Sequence, residues 1–177
     1  MRPVIDLSGT AHLPDASLLV EGASSLRRCG SQTRESIRHA HTKWSLLSAV
    51  YTGPEQHRVH QALDSPLDTG HAVLESLSRA AAALETFGAA ADGIRRKRLA
   101  LQSAAELMQE EERHGAGPGL SLPGGSGSRT LSGPLLQAKA DQLAQELAAA
   151  EDECIRALRR LADARSSAKA RRLQPVG

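Results

Sequence analysis

The sequence predicts an all-α protein: a long antiparallel helical hairpin, followed by a Gly-rich linker and a third long helix toward the C-terminus. Hydrophobic residues make up 40% of the 177 residues but aromatic residues only 2%, so the apolar content is mostly Ala and Leu, which favour helix over sheet. Apolar residues recur at spacings of three and four in three long segments. Turn signals rich in Gly and Pro separate those segments.

The first predicted helix follows a short N-terminal arm. Residues 1–14 lack apolar periodicity and are predicted to be a loose arm, after which Asp15 suits a helix N-cap. A stripe of small and apolar residues then continues at helical spacing. It ends beside the only Trp of the chain and consists of Ala16, Leu19, Ala23, Leu26, Gly30, Thr33, Ile37, Ala40, Trp44 and Leu47.

A turn and a short helix are predicted between the two long helices. Gly53-Pro54 is a strong turn signal, and Pro54 suits the first turn of a helix that runs to about Leu63. Ser65-Pro66 then predicts a break or kink, because proline lacks the N–H group that continues a helix.

The second long helix is predicted from near Asp68 to a stop at Gly115. Its apolar stripe contains one charged residue, Arg98. The hairpin seam formed with the first helix is predicted to contain Leu26, Ile37, Leu77, Leu84, Phe87, Ile94, Leu101 and Met108. The hairpin domain is therefore predicted to span residues 15–114.

Residues 115–133 are rich in Gly, Ser and Pro and are predicted to be a flexible linker. Residues 134–173 are predicted to be a coiled-coil-like helix that starts at Pro134 and ends near Arg172. Its seam keeps a heptad register. The seam residues are Leu136, Ala140, Leu143, Leu147, Ala150, Cys154, Ala157, Leu161, Ala164 and Ala168.

The charged residues give little indication of a ligand. The formal net charge is only +2, whereas nucleic-acid binders usually show a larger and more clustered positive charge. Arg95–Arg98 forms a basic run that could meet phosphate, but its side chains fan around a helix and no aromatic side chains alternate with them. We expect a solvated helix surface and no nucleic-acid partner.

The sequence predicts neither catalysis nor a cofactor. His57-x-x-His60 has a spacing that can hold a metal, but a metal site needs three or four ligands, and we expect solvated histidines instead. No nucleophile elbow or phosphate-binding loop occurs in its required structural context. Cys29 and Cys154 are expected to be two small buried helix residues, with a single bridge between them as the alternative in an oxidising compartment.

The N-terminal sequence suggests a location. No apolar run follows the early Arg2, so no signal peptide is expected, and no segment approaches the roughly 20 apolar residues that cross a bilayer. We expect synthesis in the cytoplasm, with any secretion by a signal-peptide-independent route.

The segment around the only Trp is the most specific feature of the sequence. A long helix ends in Trp44-Ser45-Leu46-Leu47, followed by Val50-Tyr51, by Gly53-Pro54-Glu55 and by a second long helix. This pattern resembles the WXG superfamily of type VII secretion substrates, most of all the N-terminal helical domain of actinobacterial secreted toxins. The resemblance covers residues 15–110. Leu46 stands where the family has Gly.

The resemblance implies a protein–protein interaction module for type VII secretion, either an export domain or an adaptor. Its partner would be a second copy or a small WXG-type helical protein, joined in a four-helix bundle, with the secretion ATPase as a further contact. The partner-recognition turn would consist of Trp44, Leu46, Leu47, Tyr51, Pro54 and Glu55. The alternative is a cytosolic structural coiled coil that forms homo-oligomers through residues 134–172 without export.

Overall fold

The protein is all-helical, as the sequence predicts. The computed structural model describes residues 5–48, 50, 53–62, 64–114 and 133–172, and no strand occurs within these ranges. Pro54 of the predicted recognition turn is therefore described. Tyr51 of that turn and residues 115–132 of the predicted linker lie outside the described residues. The elements are a 3-10 helix at Ser8–Thr10 and four α-helices, α1 (Ala16–Ser48), α2 (Gln56–Gln61), α3 (Asp64–His114) and α4 (Gly133–Arg172).

The break or kink predicted at Ser65-Pro66 does not interrupt helix α3. Helix α3 begins at Asp64, four residues earlier than expected, and continues through Pro66. Proline is tolerated there because the N–H groups of the first helical turn have no partner within the helix. Pro66 therefore lies in the first turn of α3 without interrupting it, whereas a proline in a helix interior would interrupt the helix.

The described residues fall into two compact units. The arm unit comprises the described part of Met1–Ala16 together with Ala89–Glu153, and the hairpin unit comprises that of Ser17–Gly88 together with Cys154–Gly177. These units cut across the predicted domains of residues 15–114 and 134–173, because α3 and α4 each contribute to both. Periodicity had identified the helices, but it does not say which segment of a long helix packs with which neighbour.

The hairpin unit contains α1 antiparallel to the first half of α3. A Cβ atom built on Gly30 would lie 3.0 Å from Leu74 Cδ1, and one built on Gly70 would lie 2.7 Å from Ile37 Cδ1. Across these contacts the residue numbers increase along α1 while they decrease along α3, so the two helices are antiparallel. Glycine at both contacts lets the backbones approach closely. The predicted seam residues of this unit are all half-buried: Leu26, Ile37, Leu77, Leu84 and Phe87.

The arm unit pairs the second half of α3 with the first half of α4. Lys97 Nζ of α3 lies 2.7 Å from Glu146 Oε2 of α4, and Met108 lines the same small cavity as Leu136, so these segments are also antiparallel. The predicted hairpin-seam residues Ile94, Leu101 and Met108 lie in this unit, which does not contain residues 17–48 of α1. Of these three, Met108 lines a cavity with Leu136 of α4, and the assignment of all three to a seam with the first helix stays a prediction.

The N-terminal arm is not loose over its described part. Residues 5–16 belong to the arm unit, and Thr10 is almost completely buried. Sequence periodicity could not detect this segment, because a single 3-10 turn of three residues is too short to repeat a pattern.

Candidate functional site

The end of the hairpin carries exposed apolar side chains. We call the residues Trp44, Leu46, Val50, Pro54 and Glu55 the tip. Trp44 is half-buried, whereas the side chains of Leu46 and Val50 are 67% and 81% exposed. Pro54 and Glu55 are exposed as well. A patch of this kind at the end of two helices is typical of a protein–protein contact.

The tip is positioned by the meeting of α1 and α3. Helix α1 continues to Ser48, so Trp44 and Leu46 lie in its last two turns, and Leu47 lies in the last turn. His41 Nε2 lies 3.7 Å from Asp64 Oδ1, which joins the end of α1 to the start of α3 when the imidazole is protonated. Of the predicted recognition turn, Trp44 and Leu46 thus lie at the end of α1, and Pro54 and Glu55 are exposed just before α2.

A shallow groove lies beside the tip on the hairpin unit. Its volume is about 110 Å³, and it is lined by Arg34, Ile37, Arg38, Leu67, Gly70 and His71. Two guanidinium groups and an imidazole surround an apolar floor, an arrangement that suits a carboxylate carried by an apolar segment. Sequence analysis missed this groove. The available signal was the pair Arg34 and Arg38, which share a helix face at a spacing of four.

The basic run of α3 is engaged within the arm unit. Arg95 donates to the Pro14 carbonyl oxygen at 2.8 Å, and Arg98 donates to the Thr10 carbonyl oxygen at 2.6 Å. Lys97 pairs with Glu146, and Arg96 Nε lies 3.4 Å from Asp92 Oδ2. The prediction of a merely solvated helix face is therefore wrong for Arg95 and Arg98. The sequence signal was the position of Arg98 inside an apolar stripe.

The two cysteines differ in exposure. Both are free; Cys154 is buried, as predicted, but Cys29 is exposed on α1, which contradicts its predicted burial. Burial raises the pKa of the Cys154 thiol above its ordinary value. A thiol that stays protonated at neutral pH is a small apolar core residue rather than a nucleophile.

The described ranges contain neither a metal-binding cluster nor a membrane-spanning helix. No group of three or more His, Cys, Asp or Glu side chains there is arranged to hold a metal ion. His57, one of the two histidines with ligand spacing, has its Nε2 atom 3.1 Å from the side-chain nitrogen of Gln61. None of the helices in the described part of the chain combines the length and apolar character that crossing a bilayer requires.

Comparison with known proteins gives no relative. No protein-family model, no curated protein and no solved structure matches this chain.

Proposed function

We propose that this chain is a non-enzymatic, helical protein–protein interaction module associated with type VII secretion, acting as an export domain or adaptor through its tip. The observation that carries the proposal is the exposure of Leu46 and Val50, which follow the half-buried Trp44 within six residues of sequence. Each apolar side chain moved from water into a contact contributes about 1.5–3 kcal/mol when fully buried. A partner that covers the tip would gain this free energy.

The side face of the hairpin unit supports the same proposal. Its large seam side chains remain half-exposed, although they lie on the face where α1 and α3 meet. A second helical pair laid against this face would complete their burial in a four-helix bundle. The partner would be a second copy of this chain or a small WXG-type helical protein.

The groove next to the tip indicates the chemistry of the partner. Arg34 and Arg38 flank the apolar residues Ile37 and Leu67, and His71 adds a further charge when it is protonated. We therefore expect the partner segment to carry an acidic side chain among apolar ones. The ion pair of Arg38 with Glu35 is on the surface, so it contributes little and can be exchanged for a partner carboxylate.

The resemblance of the Trp44–Glu55 segment to the WXG superfamily supports the link to secretion. Under this proposal the chain is made in the cytoplasm and exported without a signal peptide, with the secretion ATPase as a further contact. The sequence pattern that resembles the family and the exposed apolar side chains of the tip lie in the same segment, Trp44–Glu55.

The alternative, a cytosolic coiled coil that self-associates through α4 without export, has less support. The seam that would have to pair between copies is buried within one chain over its first half, at Leu136, Ala140, Leu143 and Leu147, and also at Cys154 just beyond it. Self-association through this seam would first require α4 to leave its own chain.

The proposal is tested by following a tagged chain in an actinobacterium with an active type VII system. We expect the chain in the culture medium and its loss from the medium when the secretion ATPase gene is deleted. Leu46→Ser should abolish export, whereas Leu18→Ser should not. Leu18 is a matched control because it is 65% exposed on the same helix, close to the 67% of Leu46. Retention of the unmodified chain in the cells would overturn the proposal, and equal export of both variants would remove the tip from it.

A further inference from the structure

Residues 5–14, which include the 3-10 helix Ser8–Thr10, are held in a groove of the arm unit by contacts to their main chain. Gln137 of α4 holds both main-chain groups of Asp6: the Asp6 N–H donates to Gln137 Oε1 at 2.8 Å, and Gln137 Nε2 donates to the Asp6 carbonyl at 3.3 Å. Arg98 and Arg95 of α3 hold the carbonyls of Thr10 and Pro14. Four side-chain contacts from two helices are therefore made to the main chain of one short segment.

The groove also fits the side chains of the segment. Thr10 is almost completely buried, and the Cβ atom that Gly9 lacks would lie 2.7 Å from Ala144 Cβ. Ile5 lines a residual cavity of only about 10 Å³ with Met108 and Leu136, so it nearly fills the space at its end of the groove. The groove thus selects a small residue at position 9, an apolar side chain at position 5 and a small polar one at position 10.

The segment is joined to helix α1 by a short non-helical stretch. Residues 11–15 lie between the 3-10 helix Ser8–Thr10 and the first residue of α1, Ala16, and belong to neither helix. A short loop of this kind is where segment exchange between identical chains occurs most readily. Every contact made by residues 5–14 is repeated in such an exchange, because the groove is the same on both copies.

We propose that the α3–α4 groove is a peptide-binding site whose ligand is residues 5–14, supplied by the same chain in the monomer and by a second copy in an arm-exchanged dimer. This site is separate from the tip and does not depend on the function proposed for it. Occupation by the arm of another copy brings Asp6 of one chain next to Gln137 and Asp141 of the other, since Gln137 Nε2 also donates to Asp141 Oδ1 at 2.8 Å.

The test is cross-linking between two full-length chains, one of which carries a size tag. All chains carry Cys29→Ser, which removes the exposed native thiol. One chain then carries Asp6→Cys and the other Asp141→Cys; both positions are exposed, and Gln137 keeps its main-chain contacts. After incubation of the mixture at high protein concentration, a short bismaleimide should give a product of one tagged and one untagged chain.

Two matched controls make the outcome decisive. Glu151 is an exposed residue of the same unit about 15 Å further along α4, so Asp6→Cys mixed with Glu151→Cys should give little product. A single chain with Asp6→Cys and Asp141→Cys should cross-link within itself. Adding Gly9→Ala to the chain with Asp6→Cys should reduce the mixed product severalfold. The proposal is overturned if the double variant closes internally while the mixture stays monomeric, or if Glu151→Cys gives as much product as Asp141→Cys.

Discussion

The arm unit and the hairpin unit are built from the same kind of long helix but bury different residues. In the arm unit the buried positions include large aliphatic side chains, at Ile94, Leu101, Leu136, Leu143 and Leu147. In the hairpin unit the buried positions that the structure describes are small, at Ala23, Gly30, Gly70, Ala81, Gly88 and Cys154. Its larger seam residues are only half-buried.

This difference shows two ways of using an apolar stripe. Small residues let α1 and α3 approach closely, but the leucines that flank them remain at the edge of the contact and keep part of their surface in water. Larger residues in the arm unit are covered from α3, α4 and the N-terminal segment. The arm unit therefore buries its large apolar side chains within one chain, whereas the hairpin unit leaves part of its apolar seam in contact with water.

The largest expected effect comes from truncating a leucine in each unit. Leu136→Ala removes a side chain with no exposed surface and should lower the free energy of unfolding by about 3 kcal/mol. Leu77→Ala removes a half-buried side chain of the hairpin unit and should cost about half as much. Urea denaturation followed by circular dichroism measures both. Equal losses would contradict the contrast between the two cores.

The next effect concerns the arginine that holds the arm. Arg98→Ala removes a hydrogen bond from a charged group to the Thr10 carbonyl and should lower the free energy of unfolding by about 1.5 kcal/mol. The loss is moderated because the buried Arg98 Nε–H has no partner among the described residues. Arg96→Ala, in an exposed ion pair on the same helix, should change it by at most about 0.5 kcal/mol. If denaturation gives the two variants the same stability, the arm is not held as described.

Two glycines should respond to alanine with opposite signs. Gly9→Ala places a methyl group against Ala144 and should destabilise the arm unit by about 1 kcal/mol. Gly22→Ala meets no atom within 4 Å and lies inside α1, so it should stabilise the protein by up to about 1 kcal/mol through helix propensity. Thermal denaturation of the pair checks the signs. A gain in stability for Gly9→Ala would show that the arm does not lie against α4.

The smallest effect is a pH dependence at Asp6. The Ser8 backbone N–H, and then a side-chain hydrogen bond with Ser8, lowers the pKa of the Asp6 carboxyl below 3.8. Because the folded pKa lies below the unfolded one, this contribution to stability is fully present above pH 3.8 and is lost as the pH falls through the folded value. Titration of the Asp6 side-chain carboxyl carbon by NMR should give a midpoint below 3.8. A midpoint at or above 3.8 would mean that the turn at Ser8 does not form.

The helices could be predicted from the sequence, because the spacing of apolar residues and the Gly and Pro residues near helix ends are local signals. The apolar stripe of α1 from Ala16 to Ile37 does face inward, and α4 begins at Gly133, one residue before the predicted Pro134. The helix against which each apolar stripe packs could not be predicted from the sequence. Periodicity shows which face of α3 is apolar, but the choice between α1 and α4 depends on how residues far apart in the chain pack together.

The contacts between residues 5–14 and the α3–α4 groove could not be predicted from the sequence for the same reason. Arg98 and Thr10 are 88 residues apart, and neither residue alone indicates the other. Of the predicted recognition turn, the exposure of Leu46 and the half-burial of Trp44 agree with a surface contact, but their role remains a prediction. Cys29 was expected inside because cysteine is usually buried, whereas its position on α1 lies outside the apolar stripe.

Native-state hydrogen exchange of the isolated chain, read at single residues, tests the contrast between the two units most directly. Amides of α3 and α4 in the arm unit, residues 89–110 and 136–153, should exchange with a higher free energy of opening than those of residues 20–45 and 68–88 in the hairpin unit. Equal protection in both sets, or slower exchange in the hairpin unit, would contradict the account of one core with fully buried large side chains and one whose seam stays half-exposed.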